Sequence, residues 1–382
     1  MPHHTHSSSP HPLPPTTEDE RVSWLRLLRS RRVGIATFYR LLQEHGSAEA
    51  ALLALPQIAA SAGVTDYAPC PVDVAKAELK AARKAGAQMI CIGSPSYPPA
   101  LLDLGDPPPI LWAMGDTTQM DKPMVALVGA RNASSLGVRM ARKLAQELGE
   151  AGYIVVSGLA RGIDAAAHEA SLTTGTIGVM GGGVDIIYPQ ENATIAANIA
   201  KQGLRLSEAP MGATPTARHF PARNRIIAGL AQALVVVEAA AKSGSLITAR
   251  NALDLGREVL AVPGHPFDAR ASGCNMLIRD GAILVRGAQD VIEALSPLSG
   301  QQDFPLGPPP APEKPVPDKR SRESTFALHR QILNRLGPSP VAEDQLIRDM
   351  AEPAHHITPA LVQLELEGEI LRHPGGLLAR RS

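Results

Sequence analysis

The sequence predicts an α/β protein built on a doubly wound, mostly parallel sheet, with a small helical domain before it and a winged helix after it. Three observations carry the central prediction. Between residues 121 and 296, short unbroken apolar runs such as Val125-Ala126-Leu127-Val128 and Ala233 through Val237 alternate with stretches of helical period. Strands of a parallel sheet, covered on both faces, read in this way. The runs end in Gly-rich or polar loops, and two successive loops, Gly129-Ala130-Arg131-Asn132 and Ser157 through Asp164, combine glycine with arginine.

Length and composition bound the rest. A chain of 382 residues implies two or three domains at ~150 residues each. Lysine plus arginine equal aspartate plus glutamate at 37 each, so no global field draws the protein to nucleic acid or membrane, and any anion site must come from local clustering. Cys70, Cys91 and Cys274 are far apart and form no CxxC pair, which predicts no disulfide framework, a reducing compartment and hence a cytoplasmic protein. No apolar run approaches the ~18 residues of a membrane span, and no signal-peptide core opens the chain.

In chain order, residues 1–17 are rich in His, Pro, Ser and Thr and are expected to be a disordered tail. Residues 18–86 read as helices, with Trp24, Leu27 and Leu28 on one apolar face and Phe38, Leu41 and Leu42 on another. They form either a packing domain or a helix-hairpin-helix that brings Arg29, Arg31 and Arg32 towards phosphates. Residues 87–120 hold an apolar run at 89–92, then consecutive prolines, and are expected to be a connector with an extra edge strand.

Residues 121–296 are the sheet domain. Leu136, Met140, Leu144 and Leu148 recur at steps of four and are expected on one face of the first helix, with Gly152 just past its end. Strands are predicted at 153–156, 177–180, 204–206, 233–237 and 259–262. Residues Arg218 through Arg225 form the most cationic loop of this region. Residues 297–322, with eight prolines, are expected to be an extended linker, and 323–382 a winged helix whose last helix begins with Thr358 as N-cap.

A crevice at the carboxyl ends of such strands binds ligands, and helix N-termini there supply oriented N–H donors. A dinucleotide site needs G-x-G-x-x-G in the first turn and an acid closing the second strand; the chain has GARNASSLG and Ser157-Gly158 instead. Lys242-Ser243 lacks the preceding Gly-x-x-x-x-Gly of a nucleotide-binding loop. No cofactor or metal is predicted. Arg131, Arg161, Arg218, Arg223, Arg225 and Lys242 all follow strands, more cations than one nucleotide needs and as many as a phosphate backbone uses. Phe220 either stacks a base of a single strand or is buried under its loop, and Arg223 or Arg225 is expected in a salt bridge with Glu208, Glu238 or Asp164. Asp164 is expected to cap its helix and His168 to pack inside.

The motifs VGAR, SGLARGIDAAAH, GGGVDIIYPQEN, HFPARNRIIAGL, VVVEAAAKSGSLITA, VPG and SGCNMLI follow one another between residues 124 and 285. In this order they resemble the DNA-processing protein A family (DprA, also called Smf). The resemblance implies a Rossmann-like domain, a SAM- or helix-hairpin-helix-like domain before it, and a protein that is not an enzyme. It implies one that binds and shields single-stranded DNA in natural transformation, helps load the RecA recombinase, and forms a homodimer through the Rossmann-like domain. Carried over by motif, the DNA contacts are Gly129, Arg131, Ser157, Gly158, Arg161, Gly162, Arg218, Phe220, Arg223, Asn224, Arg225, Lys242 and Ser243. Many relatives have Lys three positions before the Phe, where this chain has Ala217 with Arg218 beside it. The enzyme alternative, a nucleotide-monophosphate hydrolase of the lysine-decarboxylase-like type, needs a PGGxGTxxE loop, and Gly181 through Asp185 lacks its Thr and Glu.

The winged helix departs from the usual pattern. Its presumed recognition helix has no Lys or Arg, and residues 339–371 hold seven acidic residues against Arg348 alone. That charge predicts a protein-interaction or packing module instead of a major-groove reader.

Overall fold

The computed structural model describes residues 12–296, 322–337, 339–350, 352–373 and 376–381. The chain forms two compact units, divided after residue 299. The proline-rich stretch at 297–321 and the first eleven residues lie outside the described residues.

The first unit opens with four helices: α1 (Glu18–Arg29), α2 (Ile35–His45), α3 (Ala48–Ser61) and α4 (Val72–Ala85). Trp24, Leu25, Leu27, Phe38 and Leu41 are buried among them, with the Trp24 and Phe38 rings edge-on at 5.2 Å. The expected disordered tail is corrected at its end. Thr17 is the N-cap of α1 in a full capping box with Glu20, Pro15 is buried, and the chain at Pro12 and Pro14 lies against Gly93. Orphan N–H groups of a helix start find partners in this way, which orders the residues before it.

The sheet comprises β1 (Gln88–Cys91), β2 (Ile110–Gly115), β3 (Met124–Gly129), β4 (Ile154–Ser157), β5 (Thr176–Val179), β6 (Leu204–Ser207), β7 (Ala233–Glu238), β8 (Glu258–Ala261) and β9 (Ile283–Leu284). Its order is β1-β2-β6-β5-β4-β3-β7-β8-β9. From β6 to β9 all neighbours are parallel, while β1 and β2 join antiparallel. The stretch expected as a connector with one edge strand thus supplies two strands of the main sheet. The order reverses between β3 and β7, the switch point at which ligands of such sheets lie.

Helices α5 (Ser135–Glu150), α6 (Ile163–Ser171), α7 (Ala193–Gln202), α8 (His219–Leu230), α9 (Ser245–Asp254), α10 (Ser272–Arg279) and α11 (Ala288–Leu295) cover both faces. Alternate residues of β3 face opposite layers, as pleating requires. Val125 and Leu127 pack with Leu144, Leu148, Ile163 and Val291, whereas Ala126 and Val128 join a core that continues through α8 into the four N-terminal helices. The face of α5 differs from its expected one: Gly137, Ala141, Leu144, Ala145 and Leu148 are buried, and Leu136 is 70% exposed. A step of four overshoots a 3.6-residue turn by about 40°, so Leu136 has rotated out of the core by the time Leu148 is in it.

Glu78 of α4 fastens the helices to the sheet. Its carboxylate receives Arg29 Nη2 at 2.9 Å and Nε at 3.0 Å, Trp112 Nε1 of β2 at 3.0 Å, and the Met211 N–H at 3.3 Å. The three cysteines are buried and free. Among the described residues no helix is long and apolar enough to cross a membrane.

The second unit contains α12 (Arg322–Arg335), β10 (Val341–Ala342), α13 (Glu343–Asp349), α14 (Ala354–Leu366), β11 (Ile370–His373) and β12 (Leu377–Arg380), the strands pairing antiparallel in the order β10-β12-β11. Ile332, Ile357, Leu361, Leu364 and Leu378 form its own core. Helix α14 starts five residues earlier than expected, with Pro353 at its N-cap. Thr358 is inside it, its hydroxyl donating to the Ala354 carbonyl, and Pro359 follows within the helix. Arg372 of β11 pairs with Glu343 and, at 3.2 Å, with Glu365.

Candidate nucleic-acid interface

The carboxyl ends of β3, β4 and β7 meet in one set of interlocked loops. Ala130 N–H donates to the Glu238 carbonyl at 2.7 Å, and Ile163 N–H to the Ala130 carbonyl at 3.2 Å. Gly162, at φ +74°, lets this approach happen, because a Cβ there would lie 2.3 Å from the Ala130 oxygen. Glu238 also accepts from Ser134 N–H at 3.0 Å and so orders the start of α5. The loops bound a groove of about 550 Å³ lined by Arg131, Asn132, Phe220, Asn224, Lys242, Ile247 and Arg270 among others. A smaller hollow of about 300 Å³ beside it adds Arg161, Tyr188 and Pro189.

Phe220 stands where the two hollows meet. The Arg131 guanidinium lies over its ring at 5.1 Å, Arg223 at 6.0 Å, and the Tyr188 ring at 5.7 Å and 35°. The residues expected as a cationic loop are here the first turns of α8, which begins at His219. Pro221 is compatible with this because a first-turn N–H has no helical partner to lose. The N-cap residues of α6, α8 and α9 make no side-chain cap bond, although Ser243 Oγ accepts from the Ser245 N–H at 3.4 Å at the start of α9.

The profile described as DNA recombination-mediator protein A matches residues 88–296, the DprA-like N-terminal HHH domain 18–81, and the DprA winged helix domain 308–376. DNA processing protein DprA of Bacillus subtilis is 44% identical over 231 residues, 60% of this chain and 78% of its own. Protein Smf of Escherichia coli is 38% identical over 77% of each chain. The chain belongs to the DNA-processing protein A family. The solved DprA of Streptococcus pneumoniae superposes at a TM-score of 0.57 with 35% identity, covering 69% of this chain and 98% of that one. The Helicobacter pylori DprA, whose structure is described for its single-stranded DNA binding mode, gives 0.51 and 32%, over 55% and 97%.

In this chain the predicted site residues separate into three groups. Arg131, Arg218 and Lys242 are exposed cations with no ion pair among the described residues, and Arg131 and Lys242 line the groove. Arg161 is exposed beside the smaller hollow and pairs with Glu191 at 2.5 Å, but both side chains are about 60% exposed, so the pair opposes a ligand little. Asn224 is half-buried on the groove wall, and Ser243 shares a hydrogen bond with Ser245 Oγ at 2.6 Å.

The second group supports the site from below. Arg223, expected as a DNA contact, lines both hollows but is largely buried. Its Nη1 donates to the Gly158 carbonyl and, at 2.7 Å, to that of Val179, so it forms the floor beneath Phe220. Burial pushes this guanidinium down to about 10, opposed by Asp164, which leaves it charged at neutral pH. Gly158 makes room for it, since a Cβ would lie 2.0 Å from Nη1. Ser157, also expected as a DNA contact, is buried, and its hydroxyl donates to the Leu127 carbonyl at 2.6 Å. Gly129 packs under Ile163, where a Cβ would come within 2.6 Å. Asp164, the second residue of α6, accepts from Gly158 and Ala160 N–H at 3.1 and 3.3 Å, bracing the loop before the helix instead of occupying the N-cap position.

Arg225 stands apart as the third. It pairs with Glu208 and donates to the Asp106 carbonyl at 2.9 Å, turned away from the groove towards the connector. Its guanidinium is therefore already neutralised. His168 is fully buried, its Nδ1 at 2.7 Å from Thr176 Oγ1, which itself donates to the Val155 carbonyl. The described residues contain no cluster of metal-ligand type. Sequence reading missed Tyr188 and Arg270. Tyr188 was within reach of the argument used for Phe220, being an aromatic residue just past a strand on the same sheet edge.

Proposed function

We propose that this protein binds single-stranded DNA along the groove at the switch point of its sheet. The observation that carries the reading is the half-buried Phe220 ring with Arg131 over it at 5.1 Å, in a groove that also presents Lys242. A ring offers a stacking face to any base and free cations attract any phosphate, the combination that sequence-tolerant single-strand binding uses. The single-strand binding described for the Helicobacter pylori relative supports it. Shielding of the strand, loading of RecA recombinase, a non-enzymatic role and a homodimer formed through the Rossmann-like domain extend the proposal on the strength of family membership.

Fluorescence anisotropy with oligo-dT tests it. Binding prefers the single strand over duplex and weakens with salt by a slope of roughly −0.7 per phosphate neutralised. Arg131→Ala lowers both affinity and slope. Phe220→Ala lowers affinity by about 1–3 kcal/mol and leaves the slope in place. Equal affinity for duplex, or binding indifferent to salt, would overturn the reading. The RecA step predicts faster RecA filament assembly on the bound strand when the protein is present.

A further inference from the structure

Phe267 is 94% exposed, the most exposed aromatic ring among the described residues, and it does not lie on a loose end. It belongs to the loop between β8 and α10, whose backbone is held at many points. Gly264 exchanges two hydrogen bonds with the Asn275 amide at 3.1 and 3.0 Å, Asp268 N–H donates to the His265 carbonyl at 2.9 Å, and Phe267 N–H meets His265 Nδ1 at 3.3 Å. The His265 ring lies beside Phe267 at 5.6 Å and 37°. A rigid loop that keeps a phenyl ring in water forgoes the gain of burying it.

The loop adjoins the groove. β8 is the parallel neighbour of β7, so the loops after both emerge at one edge of the sheet, a strand spacing of about 4.8 Å apart. They are joined directly: Ala241 N–H donates to Ser272 Oγ at 3.0 Å, and Gly273 N–H to the Ala239 carbonyl at 2.8 Å. Lys242 follows on the β7 side, and Arg270, three residues past Phe267, lines the groove itself. Asp268 is the acid of this loop and is held by Arg270 at 3.1 Å. No other large apolar residue of residues 264–271 accompanies the ring, whereas a protein-docking patch is contiguous.

We propose that Phe267, flanked by His265, is a second stacking platform for the same strand, taking a base beyond those held at Phe220 while Arg270 and Lys242 meet the intervening backbone. The proposal rests on the groove being a single-strand site and adds where the strand goes next, across β7 towards β8.

The test uses the full chain and two lengths of oligo-dT, about 6 and about 20 nucleotides, bracketing the roughly 4–16 that one single-strand binding domain covers. Phe267→Ala weakens the longer oligonucleotide by about 5- to 150-fold, the range of one lost stacked base, and leaves the shorter one and the salt slope unchanged. Phe267→Trp restores binding, and its emission is quenched by the longer oligonucleotide, a clean signal because Trp24 and Trp112 are 5% and 1% exposed. Phe267→Leu does not restore it. Wild-type binding of both lengths by Phe267→Ala overturns the proposal, as does rescue by Phe267→Leu or a changed sedimentation coefficient with unchanged DNA binding. Arg131→Ala in parallel separates the layers: if it weakens both lengths while Phe267→Ala weakens neither, only this inference fails, and if it weakens neither length the groove reading fails with it.

Discussion

A neutral imidazole is the stable form at position 168. Burial, reinforced by the nearby Arg223 charge, pushes His168 from 6.5 down to about 3. Above pH 6.5 folded and unfolded chains both hold it neutral and the stability is complete. As pH falls below 6.5 the unfolded chain takes up a proton that the folded one refuses, and stability declines until about pH 3, at up to about 1.4 kcal/mol per pH unit. Asp164, whose carboxyl is pushed up by burial, acts in the opposite sense, so the informative comparison is between parent and variant. The urea midpoint of His168→Gln, measured from pH 7 to 4, should fall less steeply than that of the parent chain. His168 also shows the limit of reading residues from sequence. Its burial was readable from the apolar helix around it, but the choice between Arg223 and Arg225 as groove cation was not. Both share one helix, and only the third dimension shows Arg223 under the ring and Arg225 turned to Glu208.

Among the elements, the central strands were legible because burial on both faces leaves an unbroken apolar run. The start of α8 was not, since Pro221 among three arginines mimics a loop, and a helix tolerates the proline only in its first turn. The order before α1 was written in Thr17-Glu18-Asp19-Glu20, a capping box overlooked beside the proline-rich composition that precedes it. Thr17→Ala removes the side-chain acceptor for the Glu20 N–H, bonded at 3.2 Å, and should lower stability by about 1 kcal/mol. Chemical denaturation would register this as a lower midpoint with an unchanged slope, and limited proteolysis as earlier cleavage near Pro14.

The molecule as a whole has ends of different character. In the C-terminal unit Arg372, the cation of β11, is neutralised by Glu343 and Glu365, and α14 carries no Lys or Arg. Removing residues 301–382 should leave oligo-dT affinity unchanged or raised, and the separate unit from residue 322 onward, which has its own core, should not bind duplex DNA at micromolar concentration in physiological salt. Duplex binding there, or a loss of single-strand affinity on truncation, would refute this. The front of the chain allows no such excision. Because one carboxylate, that of Glu78, accepts from Arg29, the Trp112 indole and the Met211 N–H, a change at Glu78 leaves all three donors without that partner in the interior. Helices and sheet are thus tied through one buried side chain, and across descendants of this sequence a change at position 78 is expected to bring changes at 29 and 112.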